Sequence, residues 1–184
     1  MDVLDAIDAE LAAWLEDQPV FFVATAPSGA SGHVNVSPKG QRGTFAVLGP
    51  LRVGYLDFTG SGTETIAHLR DNGRITLMFV AFDGRPNIVR LYGCGRHVRP
   101  GEAEFDGLRA RFPRRESLGQ RAVIVAELDR VQTSCGYGGP LMSYLGDRDV
   151  MDAWSRRKGE EGLIAYRAEA NAASIDGLPG LDAE

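Results

Sequence analysis

The chain predicts a mainly β domain with peripheral helices (α+β), its strands antiparallel and rolled into a closed or partly closed barrel. Three observations carry this. Short runs rich in Val, Ile, Phe, Thr and Tyr are separated by hairpin-length turns, one helical pattern interrupts them after the fourth run, and amphipathic helical patterns stand at both ends.

At the N-terminus, Leu4, Ile7, Leu11, Trp14 and Leu15 recur at three- and four-residue intervals, an apolar stripe on a helix within residues 1–17 that stops near Asp17 and Pro19. From residue 20 the period changes. "VFFVATA", "HVNVS", "TFAVL" and "LRVGYLDF", separated by "PSGASG", "PKGQRG" and "GP", predict four successive antiparallel strands. The helix "TETIAHLRDNG" follows, closed by Gly73 in the left-handed conformation. "RITLMFVAF" and "NIVRLYGCGRHV", joined by "DGRP", predict a hairpin; "GEAEFDGLRARF" predicts a helix and "RAVIVAELDRVQTS" a long strand. "DVMDAWSRRKGEEGLIAYRAEA" predicts two helical pieces broken at Gly159 and Gly162, and the tail has no period. The whole chain, residues 1–184, reads as one domain: a barrel core over 20–134 with C-terminal helices and tail over 150–184.

Composition narrows the function classes. Hydrophobic residues at 43% and charged residues at 24% are globular values. A net charge of -5 disfavours a nucleic-acid partner, and the basic stretch "RARFPRR" reads as a solvated helix end. No apolar run approaches the ~20 residues of a membrane span, and the acidic "MDVLDAIDAE" is unlike a signal peptide, so a cytoplasmic protein without a membrane partner is expected. Cys94 and Cys135 read as small buried hydrophobes, Trp154 as a core residue or, as the alternative, a dimer contact, and His68 as a helix-face residue. His33, His68 and His97 lack metal-site spacing, and no metal is expected. "TSCGYGGP" reads as a tight turn, or as a border of a ligand groove through Tyr137.

The stretch "DFTGSGTETIAHL" admits three readings. A dinucleotide-binding turn has a third glycine where Thr65 stands and needs consecutive βα units, which this chain lacks. A capping box would pair the Ser61 hydroxyl with the Glu64 amide and return the Glu64 carboxylate to Ser61. A phosphate seat would use close backbone approach at Gly60 and Gly62, hydroxyls of Ser61, Thr63 and Thr65, and the positive helix end. Capping and phosphate binding are compatible, but Glu64 then requires a nearby cation.

"HVNVSPKG", "VGYLDFTGSGTETIAHL", "NGRITLMFVAFDG" and "NIVRLYGCGRHV" resemble, in order, the elements of the pyridoxamine 5'-phosphate oxidase-like family, the FMN-binding split β-barrels, over roughly residues 15 to 130. The resemblance implies FMN in a groove between two subunits of a homodimer, exchanging hydride or electrons with a small-molecule substrate or electron donor. It places the flavin edge along Val36, Ser37, Pro38 and Lys39. The phosphate falls within Asp57 to Thr65, where Thr59, Ser61, Thr63 and Thr65 supply hydroxyls. The family's following Arg-Lys pair is missing, which leaves Lys39, Arg70, Arg74 and Arg90 as candidate cations, Arg90 lying on the strand that reaches the neighbouring subunit's flavin. No catalytic acid or base is implied. The chain ends in "SIDGLPGLDAE" rather than the family's Arg- and His-containing substrate segment, which argues against pyridoxamine phosphate oxidation. Relatives on this fold that use deazaflavin or haem, and non-catalytic binding modules, remain alternatives.

Overall fold

Strict alternation of buried and partly exposed positions along Val20–Thr25 and Arg74–Val80 is what a sheet with one face on a core requires, and the computed structural model, which describes residues 1–182, has that sheet as its centre. The elements in order are β1 (Asp2–Leu4), α1 (Ala9–Asp17), β2 (Val20–Thr25), β3 (Asn35–Gly40), β4 (Phe45–Gly49) and β5 (Arg52–Phe58). After them come α2 (Glu64–Asp71), β6 (Arg74–Val80), β7 (Ile88–Val98), α3 (Phe105–Arg109), β8 (Gln120–Ser134) and α4 (Val150–Ala170).

Seven strands run in the order β3-β2-β6-β7-β8-β5-β4, with β1 added beside β8, and every pairing is antiparallel. The mainly β, antiparallel split-barrel expectation is met. The hairpins β4–β5 and β6–β7 and the pair β2–β3 form as expected, but the four strands β2 to β5 are not one meander. β3 and β4, consecutive in the chain, are the two ends of the sheet. Between them Gln41 at φ 70° and Gly43 at φ 78° turn the backbone away from a continued hairpin. The sheet therefore curls into a half-barrel with an open seam.

Inside it, the rings of Phe21, Phe45, Tyr55 and Phe79 pack with centroids 4.9 to 5.5 Å apart. Helix α1 starts later than its apolar stripe suggests. The Asp8 carboxylate accepts from the Leu11 amide at 2.8 Å and fixes the start there, while Leu4 joins β1 against β8. Leu15 is fully buried, whereas Leu11 is half-buried. The Glu16 carboxylate accepts from the Val47 amide at 2.9 Å, so α1 also covers the free edge of β4. On the outer face Leu56, Val98, Val123 and Val125 form a second core under Leu108 and Phe112.

Gly73 has φ 74° as expected, and α4 is broken at Gly159, φ 66° and ψ 174°. Helix α3 is shorter than its sequence pattern. Both cysteines are exposed, which corrects the buried reading: Cys94 lies on the outward face of β7 beside the Gly73 turn, and Cys135 follows the end of β8. Among the described residues no helix is long and apolar enough to cross a membrane.

Candidate functional site

The seam of the half-barrel is closed by charge. β3 supplies Lys39, β5 supplies Asp57 and the start of β8 supplies Arg121. Lys39 Nζ donates to Asp57 Oδ1 at 2.9 Å and Arg121 Nε to Oδ2 at 2.7 Å, with the Asp57 side chain fully buried. Burial by itself would raise the Asp57 pKa, but the Arg121 and Lys39 charges and hydrogen bonds outweigh it and bring the pKa to about 2 from 3.8. That difference corresponds to about 2 kcal/mol of folding stability. Because the folded-state value lies below the unfolded one, the contribution is complete above about pH 4 and is lost as pH falls toward 2. The stability difference between the parent and Asp57→Asn, from urea unfolding, should therefore shrink by about 2 kcal/mol between pH 5 and pH 2. A difference independent of pH contradicts this assignment.

Arg121 reaches further. Its Nη1 donates to the Gly62 carbonyl at 2.9 Å and to Asn171 Oδ1 at 2.8 Å, while Asn171 Nδ2 donates to the Gly60 carbonyl at 2.9 Å. In a trans peptide the N–H points opposite its carbonyl. With the Gly60 and Gly62 carbonyls turned to Arg121 and the C-terminal tail, the amides of Ser61 and Thr63 point the other way.

The capping box does not form. The N-cap of α2 is Thr63, with no side-chain cap, and the Glu64 carboxylate accepts from the Ile175 amide of the tail at 3.3 Å. The first intrahelical bond of α2 runs from the Ala67 amide to the Thr63 carbonyl at 3.0 Å, so the amides of Glu64, Thr65 and Ile66 have no partner within the helix. In front of this helix start lies a pocket of about 280 Å³, lined by Ser37, Pro38 and Lys39, Phe58, the turn Gly60 to Gly62, Glu64, Thr65 and Arg121.

Thr65 Oγ1 accepts from Asn35 Nδ2 at 3.1 Å, and its hydroxyl also interacts with the buried Tyr55 phenol behind the pocket. Asn35 is fixed in turn: its amide also donates to Thr25 Oγ1 at 3.1 Å, its carbonyl accepts from Ser37 Oγ at 2.8 Å, and Thr25 Oγ1 lies 3.0 Å from His68 Nδ1. His68, expected on a helix face, is wholly buried as the inner anchor of this chain.

Of the residues singled out from sequence, Ser37, Pro38, Lys39, Ser61 and Thr65 line the pocket, and Asp57 lies beneath it holding both cations. Val36 is exposed on the outward face of β3. Thr59 donates to the Gly119 carbonyl at 2.8 Å and accepts from Arg167 at 3.2 Å. Thr63 is buried against Gly180 of the tail, not in the pocket. Arg74 binds the Asn72 side chain and the Pro27 carbonyl, Arg90 binds Ser134 Oγ, and Arg70 binds the Gly180 carbonyl and Asp182; none lines the pocket. Of the candidate cations Lys39 alone lines the pocket, and Arg121, which the sequence did not single out, lines it beside Lys39. Arg121 opens the long apolar run of β8, where a charged first residue reads as solvated. Asn171 lies at the start of an aperiodic tail, where no sequence signal marks it.

The pocket opens into a larger cavity of about 1580 Å³ that shares Pro38, Lys39, Phe58, Gly60 and Ser61 with it. Residues 142–149 and α4 form its other wall. Trp154 is part of that wall, edge-to-face with Tyr166 at 5.1 Å, which corrects its reading as core.

A family model described as pyridoxamine 5'-phosphate oxidase matches residues 7–135. The pyridoxamine 5'-phosphate oxidase family protein ustO of Aspergillus flavus is 39% identical over 193 residues, covering 96% of this chain and 76% of that protein. A variant of HupZ from Group A Streptococcus aligns with TM-score 0.52 at 22% identity, over 70% of this chain and 99% of its own, a likeness of fold alone. An FAD-binding protein from Mycobacterium smegmatis aligns with TM-score 0.47 at 14% identity, over 71% of this chain and 97% of its own.

Proposed function

The chain belongs to the pyridoxamine 5'-phosphate oxidase family, and from that premise we propose that it is an FMN-dependent oxidoreductase whose flavin lies in a groove completed by a second copy of the chain. The observation that carries this reading is the uncapped start of α2. Its free amides, the Ser61 and Thr65 hydroxyls, and the Lys39 and Arg121 charges converge on one pocket, which has room for a phosphate.

The residues present fit a phosphate monoester. Lys39 spends one of its three N–H donors on Asp57 and keeps the others for an anion, and the Glu64 carboxylate is engaged by the tail. Gly62 makes room for the Glu64 carboxylate, from which a Cβ there would lie 2.2 Å. The strand from Val36 to Lys39 would hold the ring edge, with Pro38 and Phe58 excluding water from one side. When bound, the flavin supplies hydride or electron transfer, and the protein's own work is to bind, orient and desolvate. The outward face of β7, carrying Arg90, is assigned to the subunit interface. Two exposed free cysteines suit a reducing compartment, and the cytoplasm is the assigned location. Haem is the weaker match: no histidine or cysteine lines either cavity among the described residues, and Met142, Tyr144, Met151 and Tyr166 line the larger one only.

The absorption spectrum of the purified protein, with mass identification of the released chromophore, tests the proposal. Flavin bands and the mass of FMN are expected, either directly or after incubation with FMN. A Soret band, a deazaflavin mass, or failure to take up FMN contradicts it.

A further inference from the structure

We propose that the α4 wall of the larger cavity binds an organic carboxylate with a planar aromatic body; its role as the flavin's reaction partner rests on the flavin reading above, while its binding does not. At about 1580 Å³ the cavity exceeds the roughly 300–1,000 Å³ of a pocket for one small molecule, so it has room for a second molecule beside a cofactor.

The wall is built, not incidental. In an unbroken helix residues twelve apart are about 18 Å apart along the axis. Trp154 and Tyr166, twelve apart, instead have ring centroids 5.1 Å apart, because the left-handed Gly159 reverses the chain between them. Lys158 Nζ is held over both rings, 5.5 Å from one centroid and 5.0 Å from the other. The helix is pinned from behind. Arg114 Nη2 donates to both carboxylate oxygens of Asp152 at 2.6 and 2.7 Å, and Ser155 is buried against Gly119, where a Cβ would lie 2.6 Å from the Ser155 hydroxyl.

Charge selects the ligand class. On the same helix Arg156 pairs with Glu116 at 3.6 Å, but Arg157 and Lys158, both lining the cavity, form no ion pair among the described residues. The aspartates that line the cavity, Asp17, Asp83, Asp147 and Asp149, lie outside this stretch of α4, so Lys158 over the two rings, with Arg157 next to it in the chain, attracts an anion with an apolar, planar body. A phosphate is favoured by a cradle of backbone amides and small hydroxyls, as in the turn before α2; the start of α4 also lines this cavity, but there the Asp149 carboxylate stands at the helix end and disfavours a dianion. A monoanionic carboxylate is satisfied by Lys158 and Arg157 alone.

Isothermal titration of 2-naphthoate into apoprotein and into FMN-loaded protein tests this. Naphthoate should bind both, and more tightly than the neutral 2-naphthylmethanol. Lys158→Gln, an exposed substitution, should weaken naphthoate about 5-fold and leave both 2-naphthylmethanol and FMN affinity unchanged. Trp154→Leu should weaken both naphthyl ligands about 3- to 10-fold. Absence of binding heat at millimolar naphthoate, or equal affinities in the parent and both variants, overturns the subsite. Tighter binding of 2-naphthyl phosphate at this wall overturns the carboxylate assignment. A parent that binds naphthoate in a Lys158-dependent way but takes up no FMN upholds the subsite and sinks the flavin reading instead.

Discussion

Arg121→Met is expected to lower folding stability by about 3–5 kcal/mol, the usual consequence of removing one partner of a buried ion pair. The substitution leaves Asp57 inside the seam with Lys39 as its remaining cation and releases the Gly62 carbonyl and the Asn171 side chain together. Methionine fills similar volume, so the loss reports the charge and its hydrogen bonds more than a cavity. Because Arg121 also aims the turn, FMN affinity should fall with stability. Arg121→Lys should recover part of the stability, through charge, but not the forked bonds to the turn and tail. Urea unfolding of the three proteins at pH 7 measures this. Coincident midpoints for parent and Arg121→Met would show that the seam is not held by this network.

Leu15→Ala should cost about 2–5 kcal/mol, because the side chain is fully buried where α1 docks on the barrel. The size depends on how far the helix can collapse onto the cavity left behind. FMN binding below the melting transition should be unchanged, since α1 reaches the larger cavity only through its last residue, Asp17, and does not line the smaller pocket. Equal urea midpoints would mean that α1 contributes nothing to the core. Leu11→Ala, at a half-buried position on the same stripe, should cost less and serves as the control.

The strands were legible because alternation and turn residues mark them locally; β2, β5, β6 and β7 lie close to where "VFFVATA", "LRVGYLDF", "RITLMFVAF" and "NIVRLYGCGRHV" put them. Pairing is a non-local property and was legible only where a short turn dictated it. The separation of β3 from β4 depends on backbone at Gln41 and Gly43 that no periodicity reveals. β1 is three residues long, too short for a period to emerge, so its Leu4 was absorbed into the helical stripe of α1. At the site, the glycines and hydroxyls of the turn were legible as pocket residues, whereas Arg121 beside them was not. Arg121 is 64 residues from Asp57 in the chain, and only the β5–β8 pairing brings them together. Arg74 and Arg90 are nearer in sequence but sit on strands that point them elsewhere.

The claim on which the account turns is that the start of α2 seats a flavin phosphate, and paired titrations of FMN and riboflavin into parent and Thr65→Ala apoprotein test it most directly. Thr65 lines the pocket, and a bound phosphate would compete with the Tyr55 phenol for its hydroxyl hydrogen. Its removal should cost one hydrogen bond to a charged acceptor, about 1.5–3 kcal/mol, or roughly a tenfold to hundredfold loss of FMN affinity. Riboflavin, which lacks the phosphate, should bind the parent more weakly than FMN does and lose much less on substitution. FMN and riboflavin binding the parent equally well, or losing affinity equally in Thr65→Ala, would contradict the phosphate seat.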